Sequence, residues 1–260
     1  KKLDQALHSG TFDIQKNASF YDITQVLTGK AQQTVPVTIP EGFTITEIAA
    51  TLETHKVITN AADFLNYVQS YASKENSLFS FLPKKNLEGF LFPDTYKFAK
   101  YSSNKQVLHT FLKRFQDVLI KEYNQTKNPP LSFYATLKLA AIIEKEAGTQ
   151  KEMPIISGVF HNRLKKKMYL ASCPTVGYAM GEPRKKSLTY RDLDYKSPYN
   201  TYRNKGLTPT PIAAPGKAAF KAALNPNRTP YLYFVSKNDG SGTHVFSKTL
   251  KQHLAHQKRI

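Results

Sequence analysis

The sequence predicts an α+β fold, on three observations. Strand-like and helix-like segments alternate over about the first eighty residues. Long amphipathic helical periods fill the middle of the chain. Near the end, Tyr231-Leu232-Tyr233-Phe234-Val235-Ser236 alternates ring and aliphatic residues, turns at Asn238-Asp239-Gly240-Ser241-Gly242 and returns as Thr243-His244-Val245-Phe246. That is the pattern of a hairpin. At 260 residues the chain can bury a sizeable core in one large or two modest domains.

Taken in order, Gly10 to Ile14 reads as a strand, and Ser19 opens a helix through Ile23, Val26 and Leu27 that Gly29 closes. Val35-Pro36-Val37-Thr38-Ile39 alternates before the turn signal Pro40-Glu41-Gly42. Thr44 with Glu47 three residues on makes a capping box, ahead of a helical face of Ile45, Ile48, Ala49 and Leu52. A second helix runs from Asn60 or Ala61 to about Tyr71, with Phe64, Leu65 and Val68 inward. Residues 73 to 86 form a polar-aromatic connection, and an amphipathic helix from Lys105 to Tyr123 follows. Beyond Asn128-Pro129-Pro130, Ser132 can cap the next helix. Further helices are predicted from Glu152 to Lys167, from Pro215 to Leu224 with proline at an early position, and after Ser247 or Thr249.

The chain carries 37 basic and 19 acidic residues, a net charge of +18. Nucleic acid is one partner class for such a charge. However, the cations are spread along the chain, with only short clusters such as Lys165-Lys166-Lys167, and no recognition motif accompanies them. A diffuse positive surface suits an anionic envelope or lipid headgroups equally well. Cys173 is the single cysteine and the seven histidines lack ligand spacing, so no intrachain disulfide, metal or other cofactor is expected. No apolar run approaches the length of a membrane span. The chain starts Lys1-Lys2-Leu3, which suggests a natural N-terminus further upstream, so the lack of an anchor here says little.

The segment Leu131 to Gly148 carries most of the chemistry. At about 100° per residue, Phe133, Leu137, Ala140, Ala141, Glu144 and Gly148 project from one side, while Glu146 points almost opposite to Glu144. A carboxylate among apolar neighbours tends to keep its proton. A protonated acid at neutral pH is what glycosidic cleavage requires. From the helix alone, a solvated or arginine-paired glutamate is the simpler reading.

Several other segments hold more polar, glycine and proline detail than a core needs. They are Leu87-Glu88-Gly89-Phe90-Leu91-Phe92-Pro93-Asp94-Thr95-Tyr96, Ser157-Gly158-Val159-Phe160-His161-Asn162-Arg163-Leu164, Ser172-Cys173-Pro174-Thr175-Val176-Gly177-Tyr178-Ala179, Ser197-Pro198-Tyr199-Asn200-Thr201-Tyr202-Arg203 and Asp239-Gly240-Ser241-Gly242-Thr243-His244-Val245-Phe246. Together with Ile143-Glu144-Lys145-Glu146, this order resembles the YceG-like family of endolytic murein transglycosylases. Any one motif is weak, but the full set in order is specific. The resemblance implies a catalytic domain over 81–260 and, more softly, a small LysM-like strand-helix domain over 1–80 that includes Val37-Thr38-Ile39-Pro40-Glu41-Gly42. It further implies a single-pass anchor in the cytoplasmic membrane, a catalytic part facing the cell wall, peptidoglycan strands as substrate and peptidoglycan synthases (penicillin-binding proteins) as neighbours.

The resemblance assigns the catalytic acid to Glu144, the residue the helix geometry had singled out. A lytic transglycosylase uses no water, so one carboxyl can serve as acid and then as base. A water-using muramidase needs a second carboxylate about 5–9.5 Å away, and Glu146 faces away from that position. Glu88, Asn162, Thr175, Tyr178, Tyr199 and Asn200 are candidate substrate-binding residues, several with other roles open. Glu88 can equally hold backbone at the Gly89 turn, Asn162 can hold an N-acetyl group or Glu144 itself, and Tyr178 can be core. His244 can face the cleft or belong to the scaffold. Thr210 and Ala214 replace a glycine and a helix-capping residue common in the family, while Cys173 and Ala171 stand where Asp and Gln are common. A muramidase and a non-catalytic wall-binding scaffold are the alternative functions.

Overall fold

In a computed structural model the described residues are 12, 14, 16–28, 34–73, 79–83, 86–185 and 187–259. The chain divides into two compact units that interleave in sequence. The first comprises 1–40, 45–87 and 93–113; the second comprises 41–44, 88–92 and 114–260. Among the described residues each unit holds one two-stranded antiparallel sheet, with helices around it. The mixture is that of an α+β fold. The strand expected from Gly10 to Ile14 lies almost wholly outside the described residues.

In the first unit, α1 (Phe20–Leu27) starts at Ser19, whose hydroxyl and the Asp22 carboxylate form a reciprocal capping box. None of its residues is buried. β1 (Thr34–Thr38) pairs antiparallel with β2 (Thr95–Ala99), placing Val37 opposite Tyr96 and Val35 opposite Phe98. Between them, α2 (Ile45–Thr54) buries Ile45, Ile48, Ala49 and Leu52, the expected face. It packs on α3 (Ala61–Ser73), whose Phe64 and Val68 are buried. The Asn60 side chain accepts from the Asp63 N–H at 2.9 Å and caps α3. Tyr96 lies 4.5 Å from the Phe111 ring of α4 (Asn104–Phe115), closing an aromatic core.

The long helix expected from Lys105 is not uniform. After α4 comes one π-helical stretch, Gln116–Ile120, and then α5 (Lys121–Gln125). The second unit is organised around α6 (Phe133–Glu146). Ser132 holds the N-cap position but its side chain makes no capping bond, contrary to the expected role. The stripe anticipated on α6 is also too narrow. Thr136, Leu137, Leu139, Ala140, Ala141, Ile142 and Ile143 are all buried, so the helix is covered nearly all round.

Its covers are α7 (Met153–Lys165), α8 (Cys173–Ala179) and α10 (Lys217–Leu224). α10 begins one residue past Gly216, so Pro215 precedes the N-cap instead of lying inside the helix. The short α9 (Tyr190–Leu193) starts from a Thr189–Asp192 capping box. The hairpin forms as β3 (Tyr233–Ser236) and β4 (His244–Ser247), in register Phe234 to Phe246. α11 (Leu250–Gln257) follows from a Thr249–Gln252 capping box. No described helix is long and apolar enough to cross a membrane.

Candidate active site

Glu144 lies two residues before the end of α6. Its Oε2 accepts a hydrogen bond from the Gly216 N–H at 2.9 Å, at the N-cap of α10. Burial pushes its carboxyl up from the ordinary 4.5 to about 7. The Gly216 bond opposes that rise, the nearby Glu41 charge adds to it, and the Lys145 ammonium opposes it. The carboxyl therefore divides between acid and carboxylate forms near neutrality, the range in which proton donation and proton removal are both accessible.

A strap of residues 41–44 approaches this carboxyl. The Gly42 N–H donates to the Ala214 carbonyl at 2.8 Å, and the Ala214 N–H donates to the Phe43 carbonyl at 2.7 Å. Lys145 Nζ donates to the Gly42 carbonyl at 3.3 Å. The Arg184 guanidinium lies 4.5 Å over the Phe43 ring. Neither Glu41 nor this pairing was legible as part of the site. The turn signal at Pro40-Glu41-Gly42 marked a bend and gave no indication of what the bend would reach.

The remaining candidates fall into two groups. Tyr178 and Tyr199 are half-buried residues whose rings lie 5.1 Å apart. The Tyr178 hydroxyl donates to Glu88 Oε2 at 3.2 Å, and the Tyr199 hydroxyl bonds Thr210 Oγ1 at 2.9 Å. Burial, then the Glu88 charge, raises the Tyr178 hydroxyl's pKa above its ordinary value, which fixes it as a neutral donor. Glu88 itself is buried.

Asn162, Thr175 and Asn200 have their polar groups committed to the scaffold. The Asn162 amide donates to the carbonyls of Thr229 at 2.7 Å and Tyr231 at 3.0 Å. The Asn200 amide donates to the carbonyls of Leu193 and Tyr195, both at 2.8 Å. Thr175 Oγ1 donates to the Ser172 carbonyl at 2.7 Å and meets Thr201 Oγ1 at 2.9 Å, fully buried. Neither asparagine amide bonds Glu144. His244 gives its N–H and Nδ1 to Glu152, at 3.1 and 2.8 Å, and so ties the hairpin to the start of α7.

Glu146 occupies a different environment from Glu144. Its Oε1 accepts from Ser172 Oγ at 2.6 Å, while Arg163 gives its guanidinium to the carbonyls of Leu232 and Leu170, each at 2.6 Å. Burial raises the Glu146 carboxyl, and Ser172, His244 and Arg163 pull it back. It is a half-buried structural group on the far side of α6. Among the described residues no histidine, cysteine and carboxylate cluster could hold a metal ion.

The profile of the YceG-like family matches residues 1–259. The chain belongs to the YceG-like family. Relatives named endolytic murein transglycosylase lie in Bacillus subtilis, 37% identical over 94% of this chain and 71% of that protein, and in Streptococcus pneumoniae, 30% identical over 88% and 46%. The crystal structure of a yceG-like protein from Listeria monocytogenes superposes with a TM-score of 0.74 at 33% identity, over 97% of this chain and 86% of that one. Within this family fold, the relatives' shared name and the Glu144 environment bear on the same question of chemistry.

Proposed function

We propose that this chain is an endolytic peptidoglycan lytic transglycosylase, with Glu144 as its single catalytic acid and base. The observation that carries the reading is the Glu144 carboxyl, raised to about 7 and held by one backbone N–H at the head of α10. The relatives' name supports the substrate and reaction class.

The bond between N-acetylmuramic acid and N-acetylglucosamine breaks as Glu144 gives its proton to the leaving oxygen. The resulting carboxylate then takes the proton of the muramic acid C6 hydroxyl. O6 closes on the anomeric carbon, giving a 1,6-anhydro end. Glu144 finishes protonated, no water is consumed, and one carboxyl completes the cycle. The Gly216 N–H steadies the carboxylate between the two steps.

We assign sugar contact to the rings of Tyr178 and Tyr199, with Glu88 holding Tyr178 in place from behind. Thr175 and Asn200 act as supports for the segments that carry those rings, and Asn162 supports the segment entering β3. The strand–helix–helix–strand order of the first unit supports its reading as a LysM-like wall-binding module. The +18 charge supports placement against an anionic membrane or wall surface, with the enzyme facing the wall beside the synthases. Mass spectrometry of uncross-linked glycan treated with this protein tests the reaction. Anhydro ends are expected, lost in Glu144→Gln, and reducing ends in their place would point to a muramidase.

A further inference from the structure

The strap residue Glu41 has no part in the mechanism above, yet its charge bears on the Glu144 carboxyl. Glu41 is exposed, at the start of the strap that Gly42 and Phe43 pair onto Ala214. A Cβ built on Gly216 would coincide with the Glu41 carboxylate, so that carboxylate occupies the space a side chain at 216 would fill. The same Gly216 donates its N–H to Glu144. Both carboxyl groups thus flank one glycine at the head of α10. Gly42 holds φ +78, and a side chain there would meet Glu144 Cγ at 3.7 Å, so the turn lies directly against the acid.

We propose that Glu41 is a positioning residue of the active centre, whose carboxylate keeps Glu144 in its acid form until the glycosidic bond breaks. The inference rests on the lyase reading and deepens it. Ionising Glu144 ahead of time places two negative charges beside Gly216, which their proximity disfavours. Once the leaving oxygen has taken the proton, the same repulsion favours its replacement from the C6 hydroxyl.

The other charges around Glu144 do not cancel this effect. Lys145 is the opposing cation, and its ammonium is drawn to the Gly42 carbonyl on the strap itself. Lys217, in the first turn of α10, pairs with Glu122 at 3.5 Å. Among the described residues, the uncharged Gly216 N–H also faces the acid, and the Arg184 guanidinium lies over the Phe43 ring of the strap.

The test is the pH profile of anhydro-end formation on uncross-linked glycan, for wild type, Glu41→Gln, Glu41→Asp, Gly216→Ala and Glu144→Gln. Glu41→Gln keeps the low-pH plateau and the wild-type KM, while its alkaline limb moves to lower pH. At pH 8 its rate falls by roughly three- to tenfold, the effect of losing one screened like charge. Glu41→Asp restores part of the limb. Gly216→Ala, whose methyl displaces the Glu41 carboxylate, moves the limb in the same direction as Glu41→Gln.

A Glu41→Gln profile that superimposes on wild type overturns the inference. So does a rate lowered equally at every pH, which marks a merely structural role. Activity retained in Glu144→Gln sinks the lyase reading itself. An inactive Glu144→Gln beside an unshifted Glu41→Gln overturns only the role of Glu41.

Discussion

Glu144 sets the pH behaviour of the protein in two ways. In the proposed mechanism cleavage needs its acid form, so kcat/KM should fall as pH rises through about 7, and a pH–rate profile on soluble glycan checks this. The stability effect follows from the same shift. The native state holds the proton more tightly than the unfolded chain, so the contribution is full below 4.5 and is lost as pH rises to about 7. Above that, the ionised carboxylate is a cost. Glu144→Gln removes the titration and should exceed wild type in stability at pH 8 by about 1–2 kcal/mol after allowance for solvent screening. The gap closes towards pH 4, as thermal melts of the two proteins would show; a gap independent of pH contradicts the assignment. Helical spacing draws attention to Glu144 by placing an acid on an apolar line, but its candidacy as the catalytic acid comes from the family resemblance. Glu41 was not legible in the sequence, because its partner at Gly216 is brought near only by the fold.

At the scale of elements, α6 is held by polar ties at its C-terminal end and apolar cover along its length. The Ser172 hydroxyl gives Glu146 a 2.6 Å bond. Ser172→Ala leaves that half-buried carboxyl without the donor and should cost about 1–3 kcal/mol, read as a lower Tm. Asn162 ties α7 to the chain entering β3, through Thr229 and Tyr231. Asn162→Ala should destabilise by a similar amount, about 1–3 kcal/mol, because two carbonyls lose their donor. Its KM for glycan should stay at the wild-type value, whereas a raised KM at unchanged Tm would return Asn162 to substrate binding. Sequence periodicity found α2, α3, α6, α7 and the β3–β4 hairpin, all long or strongly patterned. It missed α8 and α9, which are four to seven residues long and carry no apolar period. It also read α6 as one-sided. Leu139, Ile142 and Ile143 lie off the line of Glu144, yet they are buried as completely as Leu137, because several helices cover α6.

Over the whole molecule, the α+β class was legible and the arrangement of the units was not. The resemblance implies a break near residue 80, but β1 pairs with β2 across the two helices between them. Strand pairing at that separation leaves no local trace. The charge acts at this scale too. With +18 spread along the chain, attraction to anionic vesicles or wall polymer should weaken severalfold as salt rises from about 50 to 500 mM, and neutral vesicles should not bind. Sedimentation with vesicles of the two compositions reads this directly, and salt-independent binding contradicts it.

The most direct test of the central claim is mass spectrometry of uncross-linked glycan strands digested by wild type and by Glu144→Gln. The account predicts internal cuts ending in 1,6-anhydro-N-acetylmuramic acid with wild type and intact strands with the variant. Reducing ends from wild type, or anhydro ends from Glu144→Gln, would contradict a single-carboxyl, water-free mechanism at Glu144.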